Sequence, residues 1–322
     1  MKKYPLTVFA LTTKARQMGI GLIELMIALL LGIILIGAVI QALLSNMQTF
    51  NTNAGLARMQ ESARFASNEL TRDIRMTGFK GCDALVENNK VLNLTGLADY
   101  NLAVTLKGEE NVSPSTLAAT AITNTDVIKA TQMVDASAYL TANLPSNSTA
   151  ITATLNDTSN FAINDIVFIG DCDKGVVAKV TATDASNKTL TLANTTGTAN
   201  NTFDKGALVL KIETKTYYVA PTTYVNNAGV AINALWAKTN GSGPKIVALG
   251  VNDLQVLYGI NNANSLAPDQ FFVASNTLAF DKATVVRFKL GLSSLDNING
   301  GGLLTREFTT SVTLRNRMIG GL

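Results

Sequence analysis

From Leu25 to Leu44 the chain consists of Leu, Met, Ile, Ala, Gly and Val, interrupted only by Gln41. At about 1.5 Å per residue such a run forms a helix of roughly 30 Å, the thickness of a bilayer's hydrocarbon core. One charge sits at its edge: Glu24 is the only charged residue between Arg16 and Arg58. A carboxylate in a lipid-compatible helix is expensive and calls for a specific partner. Lys2, Lys3, Lys14 and Arg16 precede the run with no acidic residue among them. That asymmetry places the N-terminus in the cytoplasm and sends the remainder across the membrane.

Three readings of this segment compete. A secretory signal peptide has a shorter apolar region and a small-x-small cleavage site. Here the run is too long, and residues 38–45 offer no convincing Ala-x-Ala site. A plain signal anchor accounts for the length and the flanking charge, but not for Glu24 or the glycine before it. The stretch Arg16-Gln17-Met18-Gly19-Ile20-Gly21-Leu22-Ile23-Glu24-Leu25 resembles the leader junction of type IV prepilins and pseudopilins. The resemblance implies cleavage between Gly19 and Ile20 by a prepilin peptidase, N-methylation of Ile20, and a role for Glu24 in subunit assembly.

The chemistry of that junction is specific. Glycine leaves the backbone beside the scissile bond open to a membrane protease. The freed Ile20 amine is a cation one helical turn from Glu24. In a filament such an amine neutralises Glu24 of a neighbour or of its own chain, and a charge pair in low dielectric sets axial register. Ile20 and Gly21 stand where most family members carry phenylalanine and threonine. No proline occurs from Leu6 to Val112, so the helix is expected to be continuous.

Beyond Ser45 the composition turns polar while helical periodicity persists. Leu56, Met59, Ala63, Ala66, Leu70 and Ile74 form one apolar stripe. Arg58, Glu61, Arg64, Glu69, Arg72 and Asp73 are the intervening charges, with Glu61–Arg64 and Glu69–Arg72 at i,i+3 spacing. Gly78 marks the stop. A helix from Ile20 to Thr77 would measure roughly 85 Å, nearly half of it in the membrane and the rest laid on a globular domain. A coiled-coil dimer is the alternative, disfavoured by the shortness of the stripe.

Past Phe79 the chain is poor in charge and rich in Thr, Asn, Ala and Gly. Strands are expected at Asp165–Ile169, Val176–Thr183, Thr189–Leu192, Leu208–Val219, Leu254–Tyr258, Thr284–Leu292 and Glu307–Leu314, with a hairpin turn over Asp184–Lys188. About 240 residues suffice for one elaborated β domain. The Asn/Thr-rich span of about 143–204 reads as an insertion with exposed hairpins. Cys82 and Cys172 are the only cysteines. In an oxidising compartment two such residues most often form one disulfide, closing a loop of about 90 residues and contributing roughly 4 kcal/mol. Two unpaired thiols are the alternative.

Several chemistries are excluded. The chain has no histidine, which removes Ser-His-Asp and Cys-His catalysis and every His-based metal site. It contains no GxxxxGK and no GxGxxG motif. Asp171-Cys172-Asp173 and Asp296-Asn297-Ile298-Asn299-Gly300 read as turns rather than calcium loops. An enzyme is not expected, nor a metal or other cofactor. The formal charge is +3 from 26 Lys+Arg against 23 Asp+Glu. Loss of residues 1–19 removes four of those cations and leaves the chain near neutral. Arg315 and Arg317 form a basic spot far short of a phosphate-binding stripe, so direct nucleic-acid binding is not expected.

The resemblance extends past the leader. Arg64-Phe65 with Asp73-Ile74-Arg75-Met76-Thr77-Gly78-Phe79-Lys80-Gly81-Cys82, then Asp165-Ile166-Val167-Phe168-Ile169-Gly170-Asp171-Cys172, are similar to segments of PilW-type minor pilins. Gly250-Val251-Asn252-Asp253-Leu254-Gln255-Val256-Leu257-Tyr258-Gly259 and Val312-Thr313-Leu314-Arg315-Asn316-Arg317 are similar to further landmarks of that family. Both cysteines fall inside these segments, which supports the Cys82–Cys172 disulfide.

The family implies an α+β, pilin-like fold. Residues 1–19 are then a leader, 20–78 a long helix that is transmembrane to about residue 44, and 79–322 a β-rich periplasmic domain packed on the helix. It implies a low-abundance subunit that primes type IV pilus assembly and takes a place at the tip, supporting twitching motility, adhesion or DNA uptake. Its partners would be other minor pilins, the major pilin, prepilin peptidase, an inner-membrane assembly platform, a tip adhesin and, before assembly, membrane lipid. Its location would be the inner membrane, then the pilus at the cell surface. The runner-up is a GspJ-like minor pseudopilin of a type II secretion system, with the same leader and helix. A third reading, an adhesin with its own ligand, would need an aromatic-lined patch, and the one tryptophan, Trp236, reads as core.

Overall fold

The computed structural model describes residues 21–79, 91–92, 100, 104–113, 115–144, 150–171, 175–193, 202–261, 268, 270–298 and 301–318. The chain divides into two compact units, residues 1–51 and 52–322. Helix α1 (Leu22–Met76) runs 55 residues and contributes to both. In the first unit its residues from Leu25 to Leu44 are apolar apart from Gln41, and exposed apart from the half-exposed Gly32. In the second, residues 52–76 carry the amphipathic stripe.

Fourteen strands are described: β1 (Val91–Leu92), β2 (Leu106–Glu109), β3 (Val127–Tyr139), β4 (Ala150–Thr154), β5 (Ile166–Gly170), β6 (Gly175–Asp184), β7 (Thr189–Ala193), β8 (Leu208–Val225), β9 (Ala231–Thr239), β10 (Pro244–Leu249), β11 (Val251–Ile260), β12 (Gln270–Phe272), β13 (Ala283–Ser293) and β14 (Thr305–Thr313). A 3₁₀ turn, Phe280–Lys282, precedes β13, and a short helix α2, Arg315–Met318, follows β14. The second unit is therefore β-rich, and its sheets are antiparallel apart from the two-residue pairing of β1 with β6.

Strand β8 is the spine of a ten-stranded sheet. One edge pairs with β3, from Ile128 opposite Tyr217 to Tyr139 opposite Leu208. The other edge pairs first with β5, through Leu208–Ile212, and then with β9, from Lys215 onward. The sheet runs β10-β9-β8-β5-β6-β7-β4, with β2 beyond β3. A four-stranded sheet in the order β12-β11-β13-β14 stands apart. The alternation expected of half-buried strands is clear in β7, where Leu190 and Leu192 point inward, and in β13, where Val286, Phe288, Leu290 and Leu292 do.

The stripe of α1 enters the largest core. Met59, Ala63, Ala66, Leu70 and Ile74 are buried, and Leu56 is half-buried. They cluster with Ile128, Tyr217 and Val219 of the large sheet and with Leu254, Tyr258, Phe288 and Leu290 of the small one. The helix ends where expected. Gly78 adopts φ 81, a left-handed conformation that glycine takes at low cost, and Thr77 Oγ1 donates to the Asp73 carbonyl at 2.9 Å.

The expected β6–β7 hairpin forms. Asp184 Oδ1 accepts the Ser186 and Asn187 amides at 2.9 and 3.0 Å, and Lys188 takes φ 52. Strand β8 runs past its expected end at Val219, because a register shift between Pro221 and Val225 accommodates a residue that cannot donate to the ladder. The 143–204 span does more than present exposed hairpins. Strand β5 is buried throughout, and Ile151, Leu155, Phe161, Val167, Ile169, Leu190 and Phe203 belong to a separate core. Trp236 is half-buried on β9, packs beside Tyr218, and donates Nε1–H to the Ala220 carbonyl at 3.0 Å.

Candidate functional site

The first half of α1 is an apolar surface with nothing packed on it among the described residues. Its most hydrophobic 18-residue window has no buried residue, and the helix is long and apolar enough to cross a membrane. Leu22 is 79% exposed and Ile33 71%. Soluble proteins rarely leave contiguous apolar patches beyond a few hundred Å² in water.

Glu24 lies in the first turn of α1 and is exposed. The turn is set by Gly21, whose carbonyl accepts the Glu24 and Leu25 amides at 2.9 and 3.2 Å. Glu24 thus lies at the positive end of the helix dipole. No other charged side chain lies between Arg16 and Arg58. Gly19 and Ile20 lie outside the described residues, as do Cys82 and Cys172.

The described flanks of the two cysteines meet. Phe79, three residues before Cys82, packs on the cluster that holds Phe168, four residues before Cys172, together with Ile166 and Val177. The Gly78 amide donates to the Thr131 carbonyl of β3 at 3.4 Å.

The helix is held to the large sheet by a buried polar cluster. Asp73, one of the charges that intervene in the apolar stripe, is 1% exposed. Its Oδ2 accepts from Lys215 Nζ at 2.9 Å and from the Tyr217 hydroxyl at 2.5 Å, both on β8. Its Oδ1 accepts from Arg72 Nε at 3.3 Å and from Gln132 Nε2 of β3 at 3.4 Å. Burial pushes the Asp73 carboxyl up, but the hydrogen bonds of Tyr217 and Lys215 and the charges of Lys215 and Arg72 outweigh it and hold it below the usual range. Burial and the Asp73 charge together drive the Tyr217 hydroxyl far above its ordinary value, so it stays a donor.

A signal for Asp73 was present in the spacing. Met59, Ala63, Ala66, Leu70, Asp73 and Thr77 are separated by 4, 3, 4, 3 and 4 residues, so Asp73 and the buried Thr77 continue the stripe on its inward face. The pairs expected at i,i+3 both form, Arg64 to Glu61 at 2.9 Å and Arg72 to Glu69 at 2.7 Å. Arg64 and Glu61 are solvent-exposed, so their pair is weakly stabilising at most.

Among the described residues no group of three or more Cys, Asp or Glu side chains is placed to hold a metal ion. The Asp296–Asn297 loop is tied to the β8–β9 turn instead. Asp296 Oδ1 accepts the Asn227 amide at 2.9 Å, and the Asn297 amide donates to Asn227 Oδ1 at 3.0 Å. No protein-family model matches this chain, and no curated protein matches it.

Proposed function

We propose that this chain is a membrane-anchored subunit of a helical filament, a PilW-type minor pilin that helps prime type IV pilus assembly. The observation that carries the reading is the apolar half of α1, exposed on every side, with a single carboxylate in its first turn. Such a helix tolerates two environments, the bilayer and the apolar centre of a helical bundle. A subunit that leaves the membrane to join a filament needs both. In either one Glu24 requires a counter-charge, which an N-terminal amine exposed by cleavage after Gly19 supplies.

The second unit fits the same task. Its amphipathic helix is tethered through Asp73 to a β-rich body, so a load on the helix is carried into β8 and β3. The meeting of Phe79 with the Phe168 cluster supports a Cys82–Cys172 disulfide at that same end of the helix.

N-terminal mass analysis of the membrane-extracted chain, with and without the cell's prepilin peptidase, tests the proposal. A mature start at Ile20 that disappears without the peptidase is expected, with N-methylation and the loss of two thiol hydrogens read from the same masses. An intact Met1 in both samples would overturn it. Co-purification with secretion-system pseudopilins instead of pilins would move the same subunit to type II secretion.

A further inference from the structure

The two sheets meet at Asp126, the residue that leads into β3. Its amide donates to the Leu254 carbonyl of β11 at 2.8 Å, and its Oδ2 accepts the Val256 amide of β11 at 2.7 Å. Its Oδ1 accepts the Asn111 amide at 2.9 Å, so one carboxyl ties the residues after β2 to the small sheet. A second carboxyl, Glu110, lies against it. Glu110 Oε2 is buried, and no N–H or hydroxyl donor reaches it among the described residues. Glu110 Oε1 accepts from Asn111 Nδ2 at 3.0 Å, and the Glu110 carboxyl is in contact with that of Asp126.

Two carboxylates in contact repel strongly away from water, and the remedy is a cation or a proton. The neighbouring cations are engaged elsewhere. Both carboxyls line a cavity of about 390 Å³ shared with Gln255, Arg287, Lys289 and Thr309. Lys289 pairs with Glu307 at 3.2 Å. Arg287 stacks its guanidinium 4.1 Å from the Phe271 ring centroid and donates to Ser311. The remaining neighbours make matters worse or stay neutral. Asp253 of β11 adds negative charge, although its carboxylate accepts from Gln255 at 2.8 Å. Glu109 turns away to Ser115, Thr116 and the Leu117 amide. Tyr258, wholly buried on β11 with no partner for its hydroxyl among the described residues, is a further polar group near the pair.

We propose that Glu110 and Asp126 hold one proton between them and form a pH-operated latch across the junction of the two sheets. With Glu110 as the acid, its hydroxyl donates to Asp126, which remains the acceptor of two backbone amides. Loss of the proton leaves two charges in contact and releases the segment after β2 from β11. Burial first, then the Asp126 charge, pushes the Glu110 carboxyl up to about 7. A raised carboxyl value means that the latch is fully closed below the ordinary value of 4.5 and opens as pH rises through about 7.

Infrared spectra and hydrogen exchange on the full chain in detergent micelles test this, comparing wild type with Glu110→Gln. A protonated-carboxyl band is expected in wild type at pH 6, lost by pH 8.5, and missing from the variant. A band unchanged in the variant would overturn the shared proton. Protection of the Asn111 and Val256 amides, corrected for intrinsic exchange, should fall about tenfold in wild type for each pH unit above the transition. The variant, whose amide donates to Asp126 at any pH, should hold it constant. If the variant does not fold, wild-type protection alone decides: a flat profile from pH 5 to 8.5 refutes the latch.

Discussion

Replacing Asp73 by alanine should destabilise the second unit by about 3 kcal/mol. The side chain is 1% exposed and accepts from Lys215, Tyr217, Arg72 and Gln132. Removing it strands the Lys215 ammonium, only 17% exposed, and the Tyr217 hydroxyl on the face of β8. Breaking one partner of a buried ion pair costs about 3–5 kcal/mol, and the partial solvent access of Lys215 places this case at the low end. The residual charge is the main source of the penalty, so Asp73→Ala with Lys215→Met should recover part of the loss. Urea unfolding of the full chain in micelles, followed through the one tryptophan, reads the effect directly. Trp236 lies opposite Tyr218 on the adjoining strand, one residue along β8 from Tyr217. The pH dependence provides a second check. Because the Asp73 carboxyl is held below its ordinary 3.8, its contribution is full above that value and is lost as pH falls through the folded one. The single variant should lack that acid-side loss. A cost below about 1 kcal/mol, the range of exposed pairs, would refute the claim that this cluster anchors the helix.

Three further outcomes are expected. Glu24→Ala should be cleaved normally after Gly19 yet fail to enter the minor-pilin complex; normal co-purification with other pilins would discard the charge-pair mechanism. Leu70→Ala, at a fully buried stripe position, should lower stability by about 2–5 kcal/mol in the same urea assay. Gly250→Ala should be more damaging than an ordinary turn substitution. The residue has φ +80, and a Cβ would fall 2.7 Å from the Ser293 carbonyl oxygen, so loss of the β11–β13 register should appear as lost amide protection in both strands.

The elements legible in the sequence are those whose pattern is local. The apolar run, the amphipathic stripe and the stop at Gly78 follow from helical spacing and composition. Strands β5, β6, β7, β11, β13 and β14 follow from β-branched runs bounded by turn residues. Strands β3 and β9 carry no such run: Ala, Asn, Asp and Ser dilute their propensity, and pairing with β8 stabilises them instead. The same holds at the level of single groups. Glu24 stands out because its surroundings in the chain are uniformly apolar. Asp73 shares the spacing of the buried stripe, but its partners Lys215 and Tyr217 reach it from β8, more than 140 residues away.

The sequence by itself determined that one segment is a long apolar helix, that it continues as an amphipathic one, and that a β-rich region follows. Those properties depend on the period of side chains within a few turns or a few residues. Only the tertiary structure decided which charges are buried, that Glu110 meets Asp126, and that β8 joins most of the large sheet. Such contacts link residues far apart in the chain, and their energies come from desolvation and pairing, which local pattern does not encode.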